Sequence, residues 1–288
     1  MEIISLDSQN KITLGTVLVV RDRLDLTRIC IESYLYTTAI DYRLLIIDNA
    51  SGPETQEYLN SLNLNVVRFE ENKYPGYALN YGWGVITTEF PNIEFLHRSD
   101  NDIFYRRGWD RYAVETLRSF PDVGQFGCLD LSDYFHFGMK PVHLRESDGC
   151  QINAHPFDIG GCFLIRREIW DSGIRHDQTY WNAIDASGGV GEDSHIRVGG
   201  VVPEDKLFTQ SIVDAGWKIG HAIEPIVYHL GVGYGWLEHN SNFAYYKKSF
   251  EDRGIDNFEH YINETRLAKI TVERVLNEED KKNKVNRF

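Results

Sequence analysis

Through the first hundred residues, short apolar runs alternate with stretches whose apolar residues recur at helical spacing. Residues 16–20, Thr-Val-Leu-Val-Val, form the β-branched apolar run that a buried parallel strand requires. The run ends in Arg21-Asp22-Arg23. Leu26, Ile29, Cys30, Ser33, Tyr34 and Thr37 then fall on one helical face. A second strand is predicted over 42–48, closed by the turn Asn49-Ala50-Ser51-Gly52-Pro53 and followed by a helix from about Glu54. A third strand is predicted over 64–69, a helix over 75–87 and a fourth strand over 93–98. This order, β-α-β-α-β-α-β with short connections, predicts an α/β fold with right-handed crossovers and a mostly parallel sheet flanked by helices.

Later signals are more widely spaced. Gly160-Gly161 permits close backbone approach and precedes a strand over 162–165 and a helix. Pro203 suits a helix start; Leu207, Phe208, Ser211, Ile212 and Ala215 share a face, and Gly216 fits the position just past the end. Residues 226–229 read as a strand ending in His229. The long aromatic segment 129–153 receives no element. The tail from about Thr265 reads as a charged surface helix that frays.

The chain has 288 residues, 42% hydrophobic and 25% charged, enough for one large or two small domains. Its net charge of −13 argues against a broad nucleic-acid surface, which would need a basic footprint. An acidic protein that binds an anionic ligand needs a metal ion or helix N-termini to do so. Cys30, Cys128, Cys150 and Cys162 lack metal-ligand spacing and read as reduced thiols. No run is long enough for a membrane span, and the N-terminus carries no signal-peptide pattern. The expectation is a soluble cytoplasmic protein, with peripheral membrane association left open.

In parallel sheets ligands gather at the carboxyl ends of the strands. The polar residues there are Arg21, Asp22, Asp48, Asp100 and Asp102. Each aspartate alone could simply start a turn or cap a helix. Together on one edge they repel unless a cation or a ligand joins them. Further on, two Glu-Asp pairs are candidate proton acceptors, Glu192-Asp193 in a glycine-rich loop and Glu204-Asp205 in a helix first turn. The helix dipole favours the second pair and is expected to keep Asp205 ionised.

Six segments occur in an order that carries more than any one of them: TVLVVRDR, LLIIDNASGPET, NKYPGYALNYG, SDND, VPEDKLFTQSIVDAGWKIG and YHLG. Spanning roughly residues 14–235, they resemble nucleotide-sugar glycosyltransferases of the GT-A fold, close to family 2. The resemblance implies a Rossmann-like catalytic domain over 1–235, with a nucleotide-binding half at 14–105 and an acceptor half at 106–235. A lid and helical extension would follow over 236–288. Val20, Arg21, Asp22, Asp48, Asn80, Asp100 and Asn101 would bind the nucleotide sugar, although the family often has Tyr-Asn where this chain has Arg21-Asp22. Asp100-Asn101-Asp102 would be the D-x-D motif, with Asp102 and His229 as ligands of Mn²⁺ or Mg²⁺. A hard cation of this kind neutralises a departing diphosphate.

Asp205 would be the base, with Glu204, Gly161 and Trp236 on the acceptor side. The segment 129–153 would shape acceptor choice. The implied reaction moves a sugar from a nucleotide diphosphate, commonly UDP, to a hydroxyl of a carbohydrate or other acceptor, with inversion. Alternatives are a retaining enzyme, a DNA- or nucleobase-modifying glycosyltransferase, a sugar nucleotidyltransferase and a non-catalytic binding module. The nucleotidyltransferase would need a glycine-rich phosphate loop that VVRDRLDL lacks.

Overall fold

A computed structural model of the chain describes residues 12–129, 144–154, 159–179, 182, 204–223 and 226–229. The expected lid, Trp236, Glu192-Asp193 and the charged tail lie outside these residues. The described elements are β1 (Leu14–Val20), α1 (Leu24–Thr37), β2 (Tyr42–Asn49), α2 (Pro53–Ser61), β3 (Val66–Phe69), α3 (Tyr74–Glu89), β4 (Phe95–Asp100), β5 (Ile103–Tyr105) and α4 (Trp109–Ser119). They continue with β6 (Val123–Gly127), β7 (Leu144–Ser147), β8 (Cys150–Asn153), β9 (Cys162–Arg166), α5 (Arg167–Asp171), α6 (Glu204–Asp214), β10 (Lys218–His221) and β11 (Val227–His229).

Nine strands form one sheet in the order β3-β2-β1-β4-β9-β6-β10-β8-β7. The β3-β2-β1-β4 half is wholly parallel, and only β9 and β8 run against the common direction. The expected mostly parallel α/β architecture is therefore present. β1 is buried at every residue, as its unbroken apolar run requires for a central strand covered on both faces. One face packs α1 and α4 through Cys30, Ile31, Tyr34, Trp109, Ala113 and Leu117. The other packs α3, α5 and α6 through Leu79, Trp83, Ile169, Phe208 and Ile212.

Two boundaries differ from expectation in ways that shape the site. β4 spans Phe95–Asp100 rather than 93–98, so Asp100 is the last residue of a central strand instead of part of a loop. After Asn101-Asp102 the chain re-forms β5, which pairs antiparallel with β11; His229 lies opposite Ile103. Part of the unassigned segment 129–153 is an edge hairpin, β7–β8. Its turn holds Asp148 at φ 50° and Gly149 at φ 76°, the left-handed pair that Asp-Gly favours in tight hairpins.

Beneath the strand ends the core is polar. Thr16, Tyr34, His97 and Cys162 form one hydrogen-bonded chain at no exposure, and the Tyr105 hydroxyl donates to Ser99 Oγ at 2.6 Å. Burial pushes His97 down to about 3, so its ring is neutral.

Candidate active site

The carboxyl ends of β1, β2 and β4 lie side by side in the sheet, and Arg98 of β4 reaches the first turn of α6 at Asp205. The β1 end is a tightly tied loop. Asp22 and Arg23 both adopt φ 53°. The Asp22 amide donates to Ser51 Oγ at 3.0 Å, and its carboxylate accepts the Gly52 amide at 2.6 Å. Asn101 Nδ2 donates to the Asp22 carbonyl at 3.0 Å and to Thr27 Oγ1 at 2.8 Å. The β1 loop and the Asp100-Asn101-Asp102 turn are therefore one knitted unit, with Asn101 as the stitch. Val20 is buried behind it, and Arg21 is exposed at its tip.

Asp48, Asp100 and Asp102 each pair with an arginine. Asp48, at no exposure, accepts Arg68 Nε at 2.7 Å and the Ser51 amide at 2.9 Å. Asp102, 4% exposed, pairs with Arg23 through Oδ2 and with His229 Nε2 through Oδ1 at 3.2 Å. Burial alone would raise the Asp102 carboxyl, but His229 and Arg23 hold it well below the usual range. Arg98, on β4 two residues before Asp100, is itself buried. It donates to Asp100 from Nε at 3.1 Å and Nη2 at 3.4 Å, and from Nη1 to Asp205. Sequence reasoning supplied a metal to offset these acids and overlooked Arg23, Arg68 and Arg98. The available signal was an arginine at position 98, directly after the apolar run of a central strand.

Asp205 stands in the first turn of α6 with its side chain 33% exposed. The helix-dipole argument expects it to be fully ionised. Instead, burial raises its carboxyl to about 7, with Glu204 and Asp100 adding to the rise and Arg98 opposing it. The dipole loses to the desolvation and like charge of a crowded site. Gly160 lies directly beneath: a Cβ there would stand 2.6 Å from Asp205 Oδ2. Gly161, at φ 66°, accepts the Asp100 amide at 2.9 Å, so the Gly-Gly pair passes between the two aspartates.

Glu204 was expected to reach an acceptor. It is 3% exposed and turned inward against His176 Nδ1. Asn80 was expected to face a nucleotide. Its amide instead clasps the His176 backbone, donating to the carbonyl at 2.9 Å and accepting the amide at 3.1 Å. The His176 ring stacks on Phe208 at 3.8 Å between centroids, and its burial lowers its pKa. Asn80, His176 and Glu204 thus form a brace behind Asp205, and His176 had no assigned role.

Asp102 and His229 can hold a divalent cation. Two donors at right angles on bonds of about 2.1 Å lie about 3 Å apart, close to the 3.2 Å between Asp102 Oδ1 and His229 Nε2. His176, Glu204 and Asp205 also bring donor atoms within 4.8 Å of one another, but there the buried Arg98 guanidinium already supplies the positive charge.

A large, mainly parallel central sheet flanked by helices on both faces places the fold in the GT-A class. Two solved structures share the fold at 16% identity and TM-score 0.50. They are the mannosyltransferase PcManGT from Pyrobaculum calidifontis, in complex with GDP-Man and Mn²⁺, and GalNAc-T7 with UDP, GalNAc and Mn²⁺. The matches cover 74% and 76% of this chain, and 55% and 43% of those chains, so it spans about half the length of these relatives. No curated protein matches by sequence. Residues 16–173, more than half of the chain, match Glycosyl transferase family 2. The chain belongs to that family.

Proposed function

We propose that the chain transfers a sugar from a nucleotide-diphosphate donor to an acceptor hydroxyl, in one displacement that inverts the anomeric carbon. The observation that carries this reading is Asp205: a single partly exposed carboxylate, raised to about 7 and held by Arg98 beside the strand end that bears Asp100. A base poised near neutrality can take a hydroxyl proton and still be ionised often enough to act. Asp205 accepts the acceptor proton on a carboxylate oxygen. The acceptor oxygen bonds to the anomeric carbon as the bond from that carbon to the diphosphate oxygen breaks. The nucleoside diphosphate then leaves with the bonding electrons.

Asp102 and His229 would hold Mn²⁺ or Mg²⁺, which supplies positive charge to the diphosphate as negative charge builds on it. The Mn²⁺ in both solved relatives supports this assignment. Asp48, Asp100 and the 20–22 loop would face the nucleotide. Asp22 and Asn101 would act there by holding the loop rather than by direct contact, since their hydrogen bonds run within the protein. Gly161 lines the acceptor side, and Glu204 braces Asp205. No helix among the described residues is long and apolar enough to cross a membrane.

The test is a thermal-shift screen of UDP- and GDP-sugars with and without Mn²⁺. A true donor at a hundredfold excess over Kd should add about 2.7 kcal/mol of stability. The hit is then assayed for donor turnover in Asp205→Asn and Asp102→Ala. Turnover at wild-type level in both variants would overturn the reading. Retention of anomeric configuration in the product, read by NMR, would remove Asp205 as base.

A further inference from the structure

We propose that Arg98 is the positioning residue of the reaction base: its buried guanidinium clamps Asp205 to the strand end bearing Asp100 and sets the base's charge state. This rests on Asp205 being the base.

A charged side chain inside a central strand is costly unless its partners are fixed. Arg98 is 3% exposed, and its neighbours on β4, Leu96 and His97, are fully buried. Its guanidinium lies over the Phe163 ring, 5.7 Å from the centroid. The fork divides its work: Nε and Nη2 face the two oxygens of Asp100, and Nη1 faces Asp205 Oδ1. A guanidinium serves both carboxylates with a rigid planar fork, whereas an ammonium has three rotatable donors and no such fixed geometry. Sequence separation makes the clamp informative, because Asp205 lies 107 positions beyond Arg98 and on a helix rather than in the sheet. Arg98 therefore ties the acceptor-side helix α6 to the donor-side strand β4. Gly160 leaves room for the other Asp205 oxygen, since a Cβ there would stand 2.6 Å from Oδ2.

The charges around Asp205 make the assignment specific. Asp100 from β4 and Glu204 from α6 oppose its ionisation, and the backbone at Gly160 adds no charge. His176, from the segment after α5, is drawn toward its neutral form by burial and pairs with Glu204. Among the described groups that face Asp205, Arg98 is the firm positive charge. Without it, two acids would press on a base with no counterweight, and Asp205 would hold its proton at neutral pH.

The experiment titrates Asp205 by ¹³Cγ NMR on full-length protein labelled at aspartate, with the resonance assigned by its loss in Asp205→Asn. Wild type should titrate near 7. In Arg98→Met the midpoint should rise by about 1–3 units, the effect of removing an opposite charge at this range. Starting from a half-ionised base, that is roughly a fivefold to five-hundredfold loss of the ionised form at pH 7. Arg98→Lys should fall between the two, since it restores charge without the fork. A structural role alone would leave the midpoint in place. An unchanged midpoint in folded Arg98→Met overturns the proposal. Should Arg98→Met not fold, an unchanged midpoint in Arg98→Lys overturns it equally, and a raised one supports it. None of these readings needs a sugar donor, so they stand apart from the turnover assay. Full turnover by Asp205→Asn would end the base assignment while leaving the clamp measurable.

Discussion

Asp205 and Asp102 respond to burial in opposite directions, and the difference lies in their partners. Asp205 keeps its proton up to about pH 7 in the folded protein, against 3.8 for an ordinary aspartate. The folded state therefore binds more protons than the unfolded chain between those values. Stability falls as pH rises through that window, and the cost persists above it. Asparagine at 205 should thus raise the melting temperature at pH 8 and change it little at pH 4. Equal shifts at both pH values would show that burial is not straining the carboxylate. Activity runs the other way, because the base must be ionised: turnover should fall below about pH 7, and Asp205→Asn should lose about 10²- to 10⁴-fold. Asp102 is held well below 3.8 by His229 and Arg23, so its contribution to stability is complete above that pH and is lost as pH falls through the acid range beneath it. Gly160→Ala tests position rather than charge. The new methyl must push a carboxylate pinned by Arg98, and a displacement near 1 Å costs about 10²-fold in rate. The melting temperature should barely move while kcat drops, and retained kcat would mean that the carboxylate can shift freely.

At the scale of elements, the parallel half was legible because its chemistry is local. The β-branched run of β1, the Pro53 start of α2 and the Pro75 turn of α3 each declare themselves within a few residues. Helix α4 carried a signal that went unread, with Trp109, Ala113, Val114 and Leu117 at helical spacing and all buried. The end of β4 was misplaced for a physical reason. Ser99 and Asp100 fell outside the expected strand, yet they extend it because their side chains pair with Arg98 and with the core hydroxyls. Pairings between distant elements leave no trace in periodicity. The Asn80–His176 clasp is of that kind, bridging 96 positions from α3 to the segment after α5. Asn80→Ala removes two hydrogen bonds, worth about 1 kcal/mol each, and loosens the residue that braces Glu204. Urea unfolding should show a loss of about 2 kcal/mol, accompanied by a fall in kcat. Full stability in this variant would show that the clasp is incidental.

At the scale of the molecule, a charge of −13 would seem to draw divalent cations to the whole surface, yet the strand ends are locally balanced. Arg68 sits on Asp48, Arg23 on Asp102, and Arg98 on Asp100 and Asp205. Diffuse attraction and a built site can be separated by salt. Exposed charges are screened beyond about 8 Å at physiological ionic strength, whereas a buried ligand pair is not. Mn²⁺ binding followed by the free-ion EPR signal at 150 mM salt should therefore report the Asp102–His229 pair, and Asp102→Ala should abolish it. Arg23→Gln gives the sharper result. Arg23 occupies Asp102 Oδ2 from a loop held by Asn101, Ser51 and Gly52, so it competes with a cation for the same carboxylate. Removing that competitor should tighten Mn²⁺ binding by about fivefold, the equivalent of one screened ion pair of ~1 kcal/mol. The net charge changes by only one unit, too little to alter diffuse attraction on that scale. Unchanged Mn²⁺ affinity in Arg23→Gln would mean that the arginine and the cation do not share Asp102, and the balance of charge at this edge would have to be sought in Arg68 and Arg98 instead.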